Sequence, residues 1–257
     1  MILILGQSED DILYFVSRFT SSNTVDELPG NIRAYRGSFG IENMAIAATG
    51  YGNMITSAVT AMLIDHYDPY LVVNVGPAVS LSPDMHQGDL LVVDRYYFQH
   101  VRYSPLFATG YGQFPNQPSY YLASNDLNKK AEEAGYEFNE AYLQRGYLLS
   151  GTKVMTSKKE YEELKRKHYA SVQNLLMGYD TSSGGVAFAC YSRHVSLLSI
   201  RVLAYELDCE DQFLTWRRKC LEAMPKIGHI LAKILMDSRQ DFNAAEELFY
   251  EQHESHE

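Results

Sequence analysis

Apolar residues along this chain fall into two patterns. Some form unbroken runs, and others recur every three or four positions. Ile2-Leu3-Ile4-Leu5-Gly6 is the first unbroken run, and Leu71-Val72-Val73-Asn74-Val75-Gly76 and Leu90-Leu91-Val92-Val93 follow. A run apolar at consecutive positions reads as a strand buried on both faces, as in a parallel sheet covered by helices. Asn43 to Thr49, Arg145–Ser150 and Leu197–Leu203 are further strand candidates. Ile12, Phe15, Val16 and Phe19 have helical spacing behind Ser8, which predicts an N-cap. Ile55, Ala58, Val59, Met62 and Leu63 form a second helical face that ends before Asp68-Pro69. Ser124 opens a short helix with Leu127 and Ala131. Ser157-Lys158-Lys159-Glu160 has the capping-box order. Ser182 to His194 is predicted helical despite Gly184-Gly185. A long helix is predicted from Asp211 to about Ser238, with Pro225 as a kink candidate.

This alternation predicts one α/β domain over residues 1–238, with a mixed, twisted central sheet flanked by helices. Residues 239–257 read as a polar C-terminal extension. Residues 101–121 carry Pro, Gly and Tyr and read as a long loop, of a length usually kept for function or an interface. Phe107 and the Tyr111–Pro115 segment are expected to meet a partner subunit in a homodimer.

Composition narrows the function. The formal net charge of −10 repels a phosphate backbone, which argues against a nucleic-acid partner. No run approaches a membrane span, and Met1 to Gly6 lacks the basic start of a signal peptide. The three cysteines, Cys190, Cys209 and Cys220, lack metal spacing and are expected to be reduced thiols in a cytoplasmic protein. The eight histidines show no zinc spacing, so no metal site is expected, and nothing calls for a cofactor.

The candidate chemistry begins at Gly76-Pro77-Ala78. It is expected to be a small-residue loop at a strand end, where a ligand would meet the backbone. Asp11 lies three residues after Ser8. It is equally well explained as a helix cap and as a working carboxylate. Glu206 and Asp208 follow a strand end, and Asp180 lies near a helix start. Each could supply a displaced acid, though a solvated or structural role is the commoner one. Phe107 and Pro115 fit interface packing better than ligand contact.

The order and spacing of several segments resemble the purine nucleoside and uridine phosphorylase superfamily, nearest its methylthioadenosine/S-adenosylhomocysteine nucleosidases. Asn74-Val75-Gly76-Pro77-Ala78 followed by Gly88–Asp94 is similar to the family's Asn-Thr-Gly-Ser-Ala-Gly and Gly-Asp-Val-Val-Val-Ser-Asp. Gly110–Pro115 resembles its Tyr-Gly-Gln-Leu-Pro, which in nucleosidases reaches the neighbouring subunit's pocket. Ser150–Val154 falls on Ser-Gly-Asp-x-Phe, Tyr179–Ser183 on x-Glu-Met-Glu-x, and Ile200–Asp208 on Ile-Arg-Ala-Ile-Ser-Asp-Val-Ala-Asp. The resemblance implies a three-layer, nucleoside phosphorylase-like sandwich. It also implies a purine nucleoside as ligand and hydrolysis of its N-ribosyl bond, with phosphorolysis less favoured. The expected cleft contains Tyr51, Gly76, Pro77, Ala78, Val154, Asp180, Thr181 and Ser182, with Phe107 and Pro115 at its edge. Asp11, Tyr205 and Glu206 are the catalytic candidates.

The same correspondence shows what is missing. The acid that should act on base N7 is Tyr205, a phenol with a reference pKa of about 10. It donates a hydrogen bond but is a poor proton source at neutral pH. The ribose-binding Glu is Ser182, the stacking Phe is Val154, and a loop Ser is Pro77. The water-orienting Glu is the shorter Asp11, where a misplacement of about 1 Å can cost on the order of a hundredfold in rate. The alternative expectation is therefore a catalytically inactive binding or storage protein on the same fold.

Overall fold

The computed structural model describes residues 1–21, 23–138, 142–209 and 212–236. The proposed extension at 239–257 lies outside them. The elements run β1 (Ile2–Gly6), α1 (Glu9–Val16), β2 (Thr24–Leu28), β3 (Ile32–Phe39), β4 (Glu42–Ala48), α2 (Asn53–Tyr67), β5 (Leu71–Ser80), β6 (Leu90–Phe98), β7 (Tyr121–Leu122), α3 (Asn125–Phe138), β8 (Leu143–Ser150), α4 (Lys158–His168), β9 (Leu176–Asp180), α5 (Ser183–Arg193), β10 (Ser196–Glu206) and α6 (Gln212–Met236).

The sheet is mixed, as expected, but it is not the open layer of a plain sandwich. β5 pairs with β10, β10 with β6, β6 with β8, β8 with β9, and β9 returns to β5, so five strands close a ring. An open wing, β1-β4-β3-β2, leaves the ring at β5. Closure follows from the length of β5 and β10. Each reaches past its neighbours, and the antiparallel pairs Val79–Tyr179 and Ser80–Gly178 seal the ring. Individual hydrophobic patterns do not announce this closure.

Strand alternation supplies two cores. Ile2 and Ile4 of β1 and Leu71, Val73 and Val75 of β5 face α1, α3 and α6, where Ile12, Ala131 and Ile227 meet them. Leu3, Leu5 and Val72 face the opposite way, towards Leu63 of α2 and Val186 of α5. That explains why both strands are apolar throughout and β5 is buried along its whole length.

Two glycines make helix α5 fit. A Cβ on Gly184 would lie 2.8 Å from the Phe98 ring, and one on Gly185 would run into the backbone and Thr56 of α2. The close α2–α5 approach therefore outweighs the poor helix propensity of the pair. Gly185→Ala is expected to destabilise the fold by about 1–3 kcal/mol through this overpacking. A lower urea midpoint with unchanged denaturant slope would show it.

Two local expectations need correction. Gly76-Pro77-Ala78 is not a loop but lies inside β5, which runs on to Ser80. The region before β4, with no recognised pattern, holds the hairpin β2–β3, whose exposed outer strand lacks a clean apolar face. No helix among the described residues is long and apolar enough to cross a membrane.

Candidate active site

Beside β5, the strand β1 stops opposite Asn74, and pairing with the end of antiparallel β9 begins only at Val79. Residues 75 to 78 thus have no strand on that side, and two carbonyls need other donors. Arg201 of β10 supplies them. Its guanidinium donates to Val75 O and Pro77 O, each at 2.7 Å, and to Asn74 Oδ1 at 3.2 Å. It passes over Gly76, where a Cβ would sit 3.2 Å from Nη1. Gly76 also has φ +128°, which a side chain rarely adopts. Pro77 is tolerated in this strand because the neighbouring ladder is interrupted there.

Arg201 is fully buried, so its charge needs a counter-charge. Asp180, at the end of β9, places Oδ2 at 3.3 Å from Nη2. The same carboxylate accepts from Ser150 Oγ at 2.8 Å, from the backbone N–H groups of Ser182 and Ser183, and from the Ser183 hydroxyl. It thereby caps α5. Around it, Asn53 Oδ1 accepts from Gly185 N at 2.9 Å and lies at 2.9 Å from Ser150 Oγ, sharing its one proton with Asp180, and Asn74 Nδ2 donates to Ser183 Oγ.

A narrow cleft, with about 270 Å³ of empty space counted out into open solvent, lies beside this network. It is lined by Gln7, Pro77, Ala78, Val79, Val154, Tyr179, Asp180, Thr181, Tyr205 and Trp216. It lies at the carboxyl ends of β1, β9 and β10, the usual place for a ligand in an α/β sheet. Tyr205 stacks on Trp216, with ring centroids 5.9 Å apart. Burial pushes the Tyr205 phenol well above its ordinary pKa, so it faces the cleft as a neutral O–H.

Six expected residues therefore come together: Pro77, Ala78, Val154, Asp180, Thr181 and Tyr205. Gly76 and Ser182 stand just behind the lining, the first under Arg201 and the second bonded to Gln7. Asp11 does not line the cleft. Its Oδ2 accepts from the N–H groups of Gln7 and Ser8 at 2.9 Å, and its Oδ1 accepts from Cys220 Sγ at 2.9 Å. Burial, then the Asp11 carboxylate, pushes the Cys220 thiol above its usual range and keeps it a donor. The short Asp11 arm is thus occupied as a structural cap.

Glu206 points away, to the rim, with Oε1 3.4 Å from His86 Nδ1. Asp208 is exposed and accepts from Lys158 N at 3.2 Å. Tyr51 is exposed beside Ser8, while Phe107 packs on Tyr103 in the 101–120 loop, and neither lines the cleft. Pro115 is half-buried in that loop and also stands outside the lining. Among the described residues, no three His, Cys, Asp or Glu side chains converge as metal ligands.

Gln7, Val79, Tyr179 and Trp216 line the cleft without having been singled out from sequence. Two signals were available. Gln7 directly follows a buried strand, and Trp216 is the lone tryptophan. Arg201 was a third, a cation inside an otherwise apolar strand.

Residues 1–235 match the sequence profile of the phosphorylase superfamily. The chain belongs to that superfamily. Its relatives within the superfamily include the 5'-methylthioadenosine/S-adenosylhomocysteine nucleosidase of Tolumonas auensis, 23% identical over 203 residues, 78% of this chain and 84% of that one. The nucleosidase of Staphylococcus epidermidis is also 23% identical, over 79% of this chain and 86% of that protein. Among solved structures, the Neisseria meningitidis nucleosidase in complex with methylthio-immucillin-A superposes with a TM-score of 0.81 at 19% identity, covering 92% of this chain and 98% of that one. The futalosine hydrolase of Helicobacter pylori gives a TM-score of 0.80 at 21% identity, covering 92% and 97%. These superpositions show a shared fold.

Proposed function

We propose that this chain is a nucleosidase-type protein that binds a purine nucleoside in the cleft between Pro77, Val154, Asp180 and Tyr205 and hydrolyses its N-ribosyl bond slowly. The observation that carries the proposal is the neutral Tyr205 phenol, stacked on Trp216 inside the cleft. An aromatic wall suits a planar base, and a phenol O–H can donate to a ring nitrogen. The named nucleosidase and hydrolase relatives support the same class of ligand. No carboxylate near the cleft is free to move a proton, because Asp180 and Asp11 are taken up by protein donors. That saturation also favours a second reading, binding without turnover.

Binding is tested by thermal shift with methylthioadenosine, adenosine and adenine. A ligand at one hundred times its dissociation constant adds about 2.7 kcal/mol. For a chain of this size that is a rise in Tm of roughly 5–10 °C. No shift with any of the three would overturn the proposal.

The same reading includes a homodimer in a reducing cytoplasm. Phe107 and Leu106 are exposed on the 101–120 loop, and two identical loops packing together would bury them. Light scattering at micromolar concentration is expected to give twice the chain mass, and Phe107→Asp to shift it towards the monomer.

A further inference from the structure

Gln7 is 3% exposed and lines the cleft at the end of β1. Its Nε2 lies against Ser182 Oγ and donates to it, and Oε1 is on the other side of the amide. Oε1 is buried and has no hydrogen-bond partner among the described residues. Its surroundings are apolar or already committed. Tyr179 donates to Lys153 O, and Asp180 is bound to Arg201 and the start of α5. A buried carbonyl oxygen without a donor is costly, and proteins keep such groups where something else satisfies them.

We infer that Gln7 is a specificity-determining ligand contact, its Oε1 accepting a hydrogen bond from an O–H or N–H group of the bound molecule. The inference rests on the nucleoside reading of the cleft. It goes further by assigning a residue and a polarity: the ligand must bring a donor to this corner. Ser182 acts with Gln7 as a positioning residue, because its hydroxyl takes up the amide nitrogen and leaves the oxygen for the ligand. The donor is a 2'- or 3'-hydroxyl of the sugar or an exocyclic amine, which share this chemistry. A ligand lacking it would leave Oε1 buried and unpaired on binding.

Isothermal titration separates the two sources. Adenosine is compared with 2',3'-dideoxyadenosine, which keeps the amine, and with purine riboside, which keeps the hydroxyls. Wild type is expected to bind one of the two analogues roughly 5- to 100-fold more weakly than adenosine, the range for an unsatisfied buried group. Gln7→Leu should lower adenosine affinity by a similar factor and abolish the discrimination between adenosine and that analogue. Gln7→Met provides a second apolar variant of near-equal length, and circular dichroism checks that both fold. A merely structural Gln7 would weaken all three ligands equally and leave their ratios unchanged, which overturns the inference. Equal affinity of wild type for all three ligands also overturns it. Failure of wild type to bind any of them would overturn the nucleoside reading itself, and this inference with it.

Discussion

Adenine release from methylthioadenosine or S-adenosylhomocysteine is expected to run at least about a hundredfold slower than in an aspartate-bearing nucleosidase assayed in parallel. Loss of a general acid is typically worth roughly a hundred- to ten-thousandfold. Tyr205 stands where the resemblance places that acid, and burial holds its phenol protonated far beyond neutral pH. Ser182 offers no charge to the sugar, and Asp11 is turned to the Gln7–Ser8 backbone and Cys220. A coupled adenine assay would follow wild type, Tyr205→Asp, and Tyr205→Asp with Ser182→Glu. Rising turnover along that series would show that the scaffold still orients the substrate. Wild-type turnover equal to the parallel enzyme would sink the proposal of an altered site. It would direct the search to another proton source.

Asp180→Asn is expected to cost about 3–5 kcal/mol of stability, the usual penalty for removing one partner of a buried ion pair. Arg201 is fully buried and would keep its charge with only neutral groups hydrogen-bonded to it, Asp11 lying nearby across Gly76. The start of α5 would lose its carboxylate cap as well. A typical domain has about 5–15 kcal/mol in total, so the loss should be plain in a urea titration. A change below about 1 kcal/mol would mean that the carbonyls of Val75 and Pro77 and the Asn74 amide suffice for the guanidinium.

The sequence announced the helices and most strands because their apolar periods are regular and their boundaries carry caps. Ser157 accepts from Glu160 N, and Asp68 ends α2 in the left-handed region before Pro69. The hairpin β2–β3 was not legible, since its outer strand carries Asp26 and Glu27 on a largely exposed edge. The continuation of β5 through Pro77 was also hidden. Proline normally argues against a strand, and only the gap between β1 and β9 makes it harmless. Six of the ten lining residues came through the resemblance, Pro77, Ala78, Val154, Asp180, Thr181 and Tyr205. Gln7 and Trp216 did not, because each reaches the cleft from a distant element. Asp11 could be read either as a cap or as a working group. Its hydrogen bonds to Gln7 N, Ser8 N and Cys220 favour the cap.

The closed ring of five strands sets the order in which the chain can fold. β5 is made early, but one of its partners, β10, comes late: the Asn74–Arg201 contact joins residues 127 positions apart. Until β10 arrives, β5 has an unpaired edge, and Val75 O and Pro77 O lack their guanidinium. During synthesis the ring therefore stays open until nearly all of the superfamily-matched region has left the ribosome. Contacts of such long range slow folding and leave an apolar strand edge exposed. Refolding from urea should accordingly be slow and sensitive to protein concentration, and a fragment ending before Ser196 should aggregate.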